Sequence, residues 1–383
     1  MNILILCDLQ PMGGSITYIR NFVSALMALN HSVTIVSFAE EEYDHFAHHP
    51  LLTQKRFIIK QRFYKISLLS RFRKLFSFLK TKQPTQYNMV ICDYYLPAFT
   101  YLLCRLILRK WKNLPMLYQF HGSVTLEQHS QHVYKKNRLA RVNYAINYAL
   151  EKFCFSHADK IICFSNYSRS ILEQTFNFGH KIVLIPPGRE ILFDTTCSKY
   201  TKQQAREKLG LSLTKKIIFL ASRIEPRKGI PECLSFLSEA KEKFPDTLII
   251  MATNLMGFTD SLASITGLPI LYAQLPLRET LALLYRAADL TLMPSRQLET
   301  FGLTTLESFS CGTPVVAYDI GVNKELIPPD FLASISQPRS FVDIALKVLN
   351  RDKESREQLS LFCIKKAEQY SWEAYTQRVI SLV

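Results

Sequence analysis

Two hydrophobic rhythms alternate along the chain. Short unbroken apolar runs, beginning with Ile3–Cys7 and Val33–Phe38, read as strands covered on both faces. Between them, Ile16–Leu29 repeats its apolar residues at helical spacing. Further strands are expected at Met89–Cys92, Met116–Phe120, Ile161–Ser165 and Ile182–Ile185, then at Ile217–Leu220, Leu248–Ala252, Ile270–Ala273 and Val315–Ala317. Helices are expected over Arg278–Ala288, from Leu303 to a stop at Gly312, over Phe341–Leu349 and Arg356–Gln369, and from Trp372 onward. Strand following helix in this way predicts parallel α/β architecture. The polar, lysine-bearing stretch Thr196–Leu213 reads as a linker with a short helix.

A length of 383 residues is ample for two cores. Met1-Asn2 runs straight into an apolar strand, without the basic start or cleavage site of a secretory leader. The longest apolar stretch, Tyr94–Cys104, stops between Asp93 and Arg105, too short for a membrane span. Nine scattered cysteines form no C-x-x-C pair, which fits a reducing cytosol.

Charge changes the picture more. Between His45 and Leu150, eighteen Lys or Arg face two acids, Asp93 and Glu127. That region carries the whole net charge of +15, so an anionic partner is expected on the N-terminal half. Within residues 55–82, Leu68, Leu69, Phe72, Leu75, Phe76 and Leu79 form a helical stripe, with Arg71, Arg73, Lys74 and Lys80 largely elsewhere around the helix. Such a helix either lies on an anionic membrane surface or docks its apolar face on its own domain. No nucleic-acid motif accompanies the charge, so nucleic acid is not an expected partner.

The chemistry concentrates in Pro294–Glu325. Glu299 and Glu307 bracket the loop Thr300-Phe301-Gly302, just before and inside the helix opening at Leu303. A helix N-terminus offers unpaired N–H groups and a positive dipole end, and Gly302 allows close backbone approach. Carboxylates accept hydroxyl hydrogen bonds, so a diphosphate with a ribose and a hexose suits this stretch. Upstream, Met12-Gly13-Gly14 forms a glycine-rich βα turn without the full dinucleotide spacing, which disfavours an NAD site. Arg223 and Lys228 lie five apart after a strand, and Arg227 beside them is expected at the surface.

This Glu-x7-Glu pattern, with Pro294-Ser295 before it and Cys311–Ala317 after it, resembles the retaining glycosyltransferases of family 4 (GT4). The resemblance implies the GT-B fold: two doubly wound Rossmann-like domains facing across a cleft. They would span 1–190 and 191–369, with the helix 370–383 returning to the first. It also implies roles. Glu307 would hold the ribose and Glu299 the donor sugar hydroxyls. Arg223 and Lys228 would clamp the diphosphate, with Phe301, Gly302 and Leu303 at the helix start. Backbone around Gln274 and Leu275 would meet the base, UDP being favoured. Gly13 and Gly14 would lie against the diphosphate and acceptor, and His121, at a strand end, would face the donor sugar. The implied reaction moves a hexose or N-acetylhexosamine, with retention, to a glycan or lipid-linked acceptor in envelope polysaccharide or glycoconjugate synthesis. With no Asp-x-Asp, no metal is expected, and no other cofactor. The implied place is cytoplasmic, or peripheral on the inner face of the membrane. The alternatives are a sugar-nucleotide epimerase on the same fold, or a non-catalytic membrane-associated scaffold.

Overall fold

A computed structural model describes residues 1–8, 14–39, 46, 48–59, 64–127, 138–222, 225–239, 241–243, 246–253, 267, 269–274 and 277–383. The chain divides into two compact units, Met1–Gly188 with Ser371–Val383, and Arg189–Tyr370.

The N-terminal unit follows β1 (Asn2–Asp8), α1 (Gly14–Ala28), β2 (Ser32–Ala39), β3 (Leu52–Ile58), α2 (Tyr64–Thr81), β4 (Met89–Asp93) and α3 (Tyr95–Ile107). It continues through β5 (Met116–Phe120), α4 (Arg138–His157), β6 (Lys160–Cys163), α5 (Asn166–Ile171) and β7 (Ile182–Leu184). Among the described residues, seven parallel strands are ordered β3-β2-β1-β4-β5-β6-β7. Strands β1, β4 and β5 are apolar almost throughout because helices cover both faces. Helix α1 buries Ile16, Ile19, Phe22, Val23 and Leu26, the face its spacing predicts.

The C-terminal unit starts with α6 (Ile191–Lys199), α7 (Lys202–Lys208), β8 (Lys216–Ala221), α8 (Ile230–Glu239), β9 (Thr247–Thr253), β10 (Ile270–Gln274) and α9 (Arg278–Ala287). It proceeds through β11 (Leu290–Met293), α10 (Leu303–Ser310), β12 (Val315–Tyr318), α11 (Asn323–Leu326), β13 (Leu332–Ala333), α12 (Ser340–Leu349) and α13 (Lys353–Ala367). Its sheet is parallel, in the order β10-β9-β8-β11-β12-β13. The final helix, α14 (Trp372–Ile380), belongs to the N-terminal unit, where Tyr375 packs edge-on against Tyr18 and Phe22.

Two expectations change, and one of the two alternatives for α2 is met. Residues 196–213 are no interdomain linker: they hold the end of α6 and, as the expected short helix, all of α7, inside the C-terminal unit. Helix α2 spends its stripe on its own unit, with Leu75 and Leu79 fully buried and Phe72 and Phe76 packed against the same core. Leu69 is left half exposed. Arg71 is not on the solvent side. It is 3 % exposed, ion-paired with Asp8 at the end of β1, and stacked 4.9 Å from the Phe38 ring centroid. The apolar count could not reveal this, because an arginine's long stem crosses a core-facing position when an acid waits at the far end. No described helix is long and apolar enough to cross a membrane.

Candidate functional site

In the C-terminal unit the winding direction reverses between neighbours β8 and β11. Open α/β sheets bind ligands outside the carboxyl ends of the strands at such a switch point. The segment after β8 carries Lys228, and the loop after β11 carries Glu299. The Lys228 Nζ donates to Glu299 Oε1. Backbone geometry sets this meeting. The Arg296 N–H donates to the Arg227 carbonyl at 2.8 Å. Gly229 has φ 62°, and a Cβ there would lie 2.3 Å from the Pro294 carbonyl oxygen. A side chain at 229 would therefore push the two segments apart.

Burial works against ionisation of Glu299. Lys228 outweighs it and, with Ser295 and Arg227, holds the carboxyl below its ordinary value. Arg227 is no surface residue: its side chain is 10 % exposed and pairs with Glu225 at 3.1 Å.

Gly302, at φ 78°, caps α10, and a Cβ there would approach the Leu326 Cδ1 to 3.0 Å. The Glu299 carbonyl accepts from the Val322 N–H at 3.0 Å, which ties the loop to α11. Phe301 is buried with its ring edge-on to Tyr370, so its side chain supports the loop. Leu303 is the first residue of α10.

Glu307 sits in a different cluster. Arg278 Nη2 donates to its Oε1 at 2.8 Å, and the Tyr285 hydroxyl donates to Oε2 at 3.1 Å. The same Arg278 nitrogen also bonds Glu190, and the guanidinium lies 4.8 Å from the Phe193 ring centroid. Burial opposes the charge on Arg278, but Glu307 and Glu190 overcome it and hold the group firmly protonated. Burial, then Glu307, pushes the Tyr285 hydroxyl up. Among the described residues, Glu299 and Glu307 share no hydrogen-bond partner.

The remaining expected residues divide by what the structure describes. Gly14 opens α1, and Gln274 ends β10. Gly13, Arg223 and Leu275 lie outside the described residues.

In the N-terminal unit, His121 follows β5 and meets Asp93, the last residue of the neighbouring β4. The loop after His121 is pinned from behind by Glu151 of α4, which has no exposed surface. Its carboxylate accepts from the Ser123 hydroxyl at 2.8 Å, the Val124 N–H at 2.9 Å, the Thr125 N–H at 3.2 Å and the Thr125 hydroxyl. Burial pushes the Glu151 carboxyl up, against the pull of those four bonds.

Asp93, Glu151, Glu190 and Arg278 were not singled out in the sequence. Asp93 had one local signal, an acid ending an apolar strand. The other three had none, because their partners lie 26 to 88 residues away. Among the described residues, no group of His, Cys, Asp and Glu is arranged to hold a metal ion.

Comparison with known proteins matches this arrangement from both ends. Residues 12–191 match Glycosyltransferase Family 4, and residues 201–362 match Glycosyl transferases group 1. The chain belongs to glycosyltransferase family 4. Among curated relatives, D-inositol 3-phosphate glycosyltransferase of Corynebacterium urealyticum is 29 % identical over 61 % of this chain and 58 % of its own length. Sulfoquinovosyl transferase of Arabidopsis thaliana is 30 % identical over 40 % of this chain and 31 % of its own. The chain thus spans a third to a little over half the length of these relatives. Among solved structures, sucrose-phosphate synthase from Thermosynechococcus elongatus superposes with TM-score 0.83 at 19 % identity, covering 100 % of this chain and 98 % of that one. Anabaena HepE in complex with UDP and glucose gives 0.76 at 18 %, covering 100 % and 99 %. The family 4 chain has the GT-B fold.

Proposed function

We propose that this family 4 glycosyltransferase moves a hexose or N-acetylhexosamine from a nucleoside-diphosphate sugar to an anionic glycan or lipid-linked acceptor, with retention of configuration. The observation that carries the proposal is the Lys228–Glu299 pair at the β8–β11 switch point. Without ligand, cation and carboxylate neutralise one another. A donor replaces that contact with two better ones: phosphate oxygens for the ammonium and sugar hydroxyls for the carboxylate.

As the bond from the anomeric carbon to the diphosphate breaks, charge grows on the leaving phosphate. Lys228, Arg223 and the N–H groups opening α10 are assigned to stabilise it. Glu307 takes the ribose hydroxyls. It has lone pairs to spare, since a carboxylate offers about four acceptor positions and two are taken here. His121 is assigned to the transferred sugar, Gly13 and Gly14 to the diphosphate and acceptor, and backbone near Gln274 and Leu275 to the base. The leaving phosphate takes the acceptor's proton on the same face. UDP is the favoured nucleotide, since HepE has been solved with UDP and with UDP-glucose.

An anionic acceptor suits the basic N-terminal half, and one curated relative acts on inositol 3-phosphate by name. A place on the cytoplasmic membrane surface, in envelope glycan synthesis, is the finer part of the proposal. Exposed Leu69, Arg73 and Lys80 on α2 support it.

The test is incubation with a panel of UDP-, GDP- and ADP-sugars, following nucleotide release and the anomeric signal of the product by NMR. Turnover of one donor with a retained product is expected. Absence of release from every donor overturns the transferase reading, and an inverted product overturns the mechanism. Flotation with anionic and zwitterionic vesicles at low salt tests the membrane. Equal recovery with both lipids removes that part.

A further inference from the structure

Arg278 opens α9 and meets two acids along one edge of its guanidinium. Its Nε and Nη2 form a fork on Glu190, the residue just before α6: Nε donates to Oε1 at 3.5 Å and Nη2 donates to Oε2. Nη2 carries a second hydrogen, and it goes to Glu307 Oε1 at 2.8 Å. The plane of the guanidinium rests on Phe193, which is itself edge-on to Tyr285 at 5.7 Å between ring centroids. Neither ring has any exposed surface. Arg278 is therefore held by a helix, a ring and a fork on another acid before Glu307 is counted. Glu307 meets it with one oxygen and gives the other to the Tyr285 hydroxyl. Its side chain keeps 12 % exposure, so the carboxylate can still reach a ligand.

An arginine left with one carboxylate commonly closes on it as a fork, which uses both oxygens from the same side. Glu190 prevents that closure by taking the fork for itself. Each Glu307 oxygen, with about two acceptor positions, is left with about one of them. Two acids drawn to one guanidinium also repel one another. A brace between helices would be better made with one acid, so the pair calls for another reason.

We infer that Arg278, with Glu190, is a positioning residue for Glu307: it turns the carboxylate so that each oxygen presents a lone pair to one of the neighbouring 2′ and 3′ hydroxyls of a ribose, and the site thereby selects ribonucleotides over 2′-deoxyribonucleotides. This rests on the donor being a nucleoside-diphosphate sugar with its ribose on Glu307, as proposed above. Two adjacent hydroxyls on one ring match two adjacent oxygens on one carboxylate. A carboxylate free to turn would meet one hydroxyl at a time and discriminate less. No covalent step is involved: both hydroxyls donate, and their hydrogens stay on the ribose oxygens.

The test is binding without turnover, by isothermal titration with UDP, GDP and ADP, each beside its 2′-deoxy form. The wild-type protein is expected to bind the ribonucleotide about tenfold more tightly, the value of one hydrogen bond to a charged group. In Glu190→Gln, which keeps the shape of the side chain, the fork is released towards Glu307, and the preference should fall to about threefold or less. In Arg278→Met it should fall at least as far. The ratio of the two affinities cancels general damage to the fold and to the diphosphate contacts, because both ligands share them. A wild-type ratio in folded Glu190→Gln and Arg278→Met overturns the inference, and so does equal binding of both forms by the wild-type protein. If Arg278→Met does not fold, Glu190→Gln decides alone. Glu307→Ala separates this inference from its parent. Preference kept in Glu307→Ala removes Glu307 from the ribose and overturns both. Preference lost there but intact in the other two variants overturns only the role of Arg278 and Glu190. Failure of the wild-type protein to bind any of the three diphosphates overturns the parent reading, and this one with it.

Discussion

Both parallel sheets end in an acid meeting a basic side chain, and the two meetings are built in opposite ways. In the C-terminal unit, Lys228 and Glu299 stand on loops from neighbouring strands and keep some exposure. In the N-terminal unit, Asp93 is sealed beneath His121, and only the ring reaches the surface. The first pair consists of two full charges that a charged ligand can separate. The second has no exposed carboxylate to offer, so it supports a group in place of binding one. The same acid–base motif therefore keeps part of both charged groups at the surface in one unit and seals its acid completely in the other, a difference of burial.

The largest expected effect breaks the loose pair. Lys228→Ala or Glu299→Ala should lower kcat on the active donor by about 10²- to 10³-fold, as for removal of one preorganised electrostatic group. Thermal unfolding of the C-terminal unit should move much less, and steady-state kinetics beside a melting curve separates the two. Wild-type turnover in both variants ends the assignment of this pair to the donor.

Next comes the buried support of the His121 loop. Glu151→Ala leaves two buried hydroxyls and two N–H groups without their acceptor. A loss of about 3 kcal/mol is expected, read as a fall of roughly 5–10 °C in the melting of the N-terminal unit. Little change there would mean that the loop is held by something else.

Arg71→Met should cost less, about 2 kcal/mol, because Asp8 retains some access to water once its partner is gone. Burial already pushes the Asp8 carboxyl up, with Arg71 opposing. Arg71→Met combined with Asp8→Asn should recover part of the loss in chemical denaturation. If the double variant is no better than Arg71→Met alone, the ion pair is not the reason Arg71 is inside.

The smallest effect is in pH. The folded Glu299 carboxyl lies below its ordinary value of 4.5, so its stabilisation is full above that value. It is lost as pH falls through the depressed folded value. The gap in melting temperature between wild type and Glu299→Gln should accordingly be constant from pH 7 down to about 5 and shrink below 4.5. A gap that persists in acid would show that Lys228 does not hold the carboxyl down.

Much of this molecule was legible before any coordinates. The strand runs, the amphipathic face of α1, the start of α10 at Leu303 and the left-handed glycine at 312 follow from local chemistry that acts over one or two turns. So does the Glu299–Glu307 pattern, because its spacing is written in one continuous stretch. Less legible was what each charged group does once folded. Arg71 looked solvent-facing, Arg227 looked exposed, and residues 196–213 looked like a linker. Each error has one cause: polarity predicts exposure only when no partner is waiting inside, and partners distant in sequence leave no local mark.

Sequence by itself determined two parallel α/β units, an excess of positive charge on the first, and a glycine-loosened loop with acids on either side in the second. Tertiary structure alone decided which charges meet. It joined Lys228 to Glu299, gave Glu307 to Arg278 and Tyr285, and placed Asp93 beneath His121. Local patterns arise from helix and strand periodicity, which any short window of sequence contains. Pairings between side chains arise from strand order, and strand order brings together residues that no window holds at once.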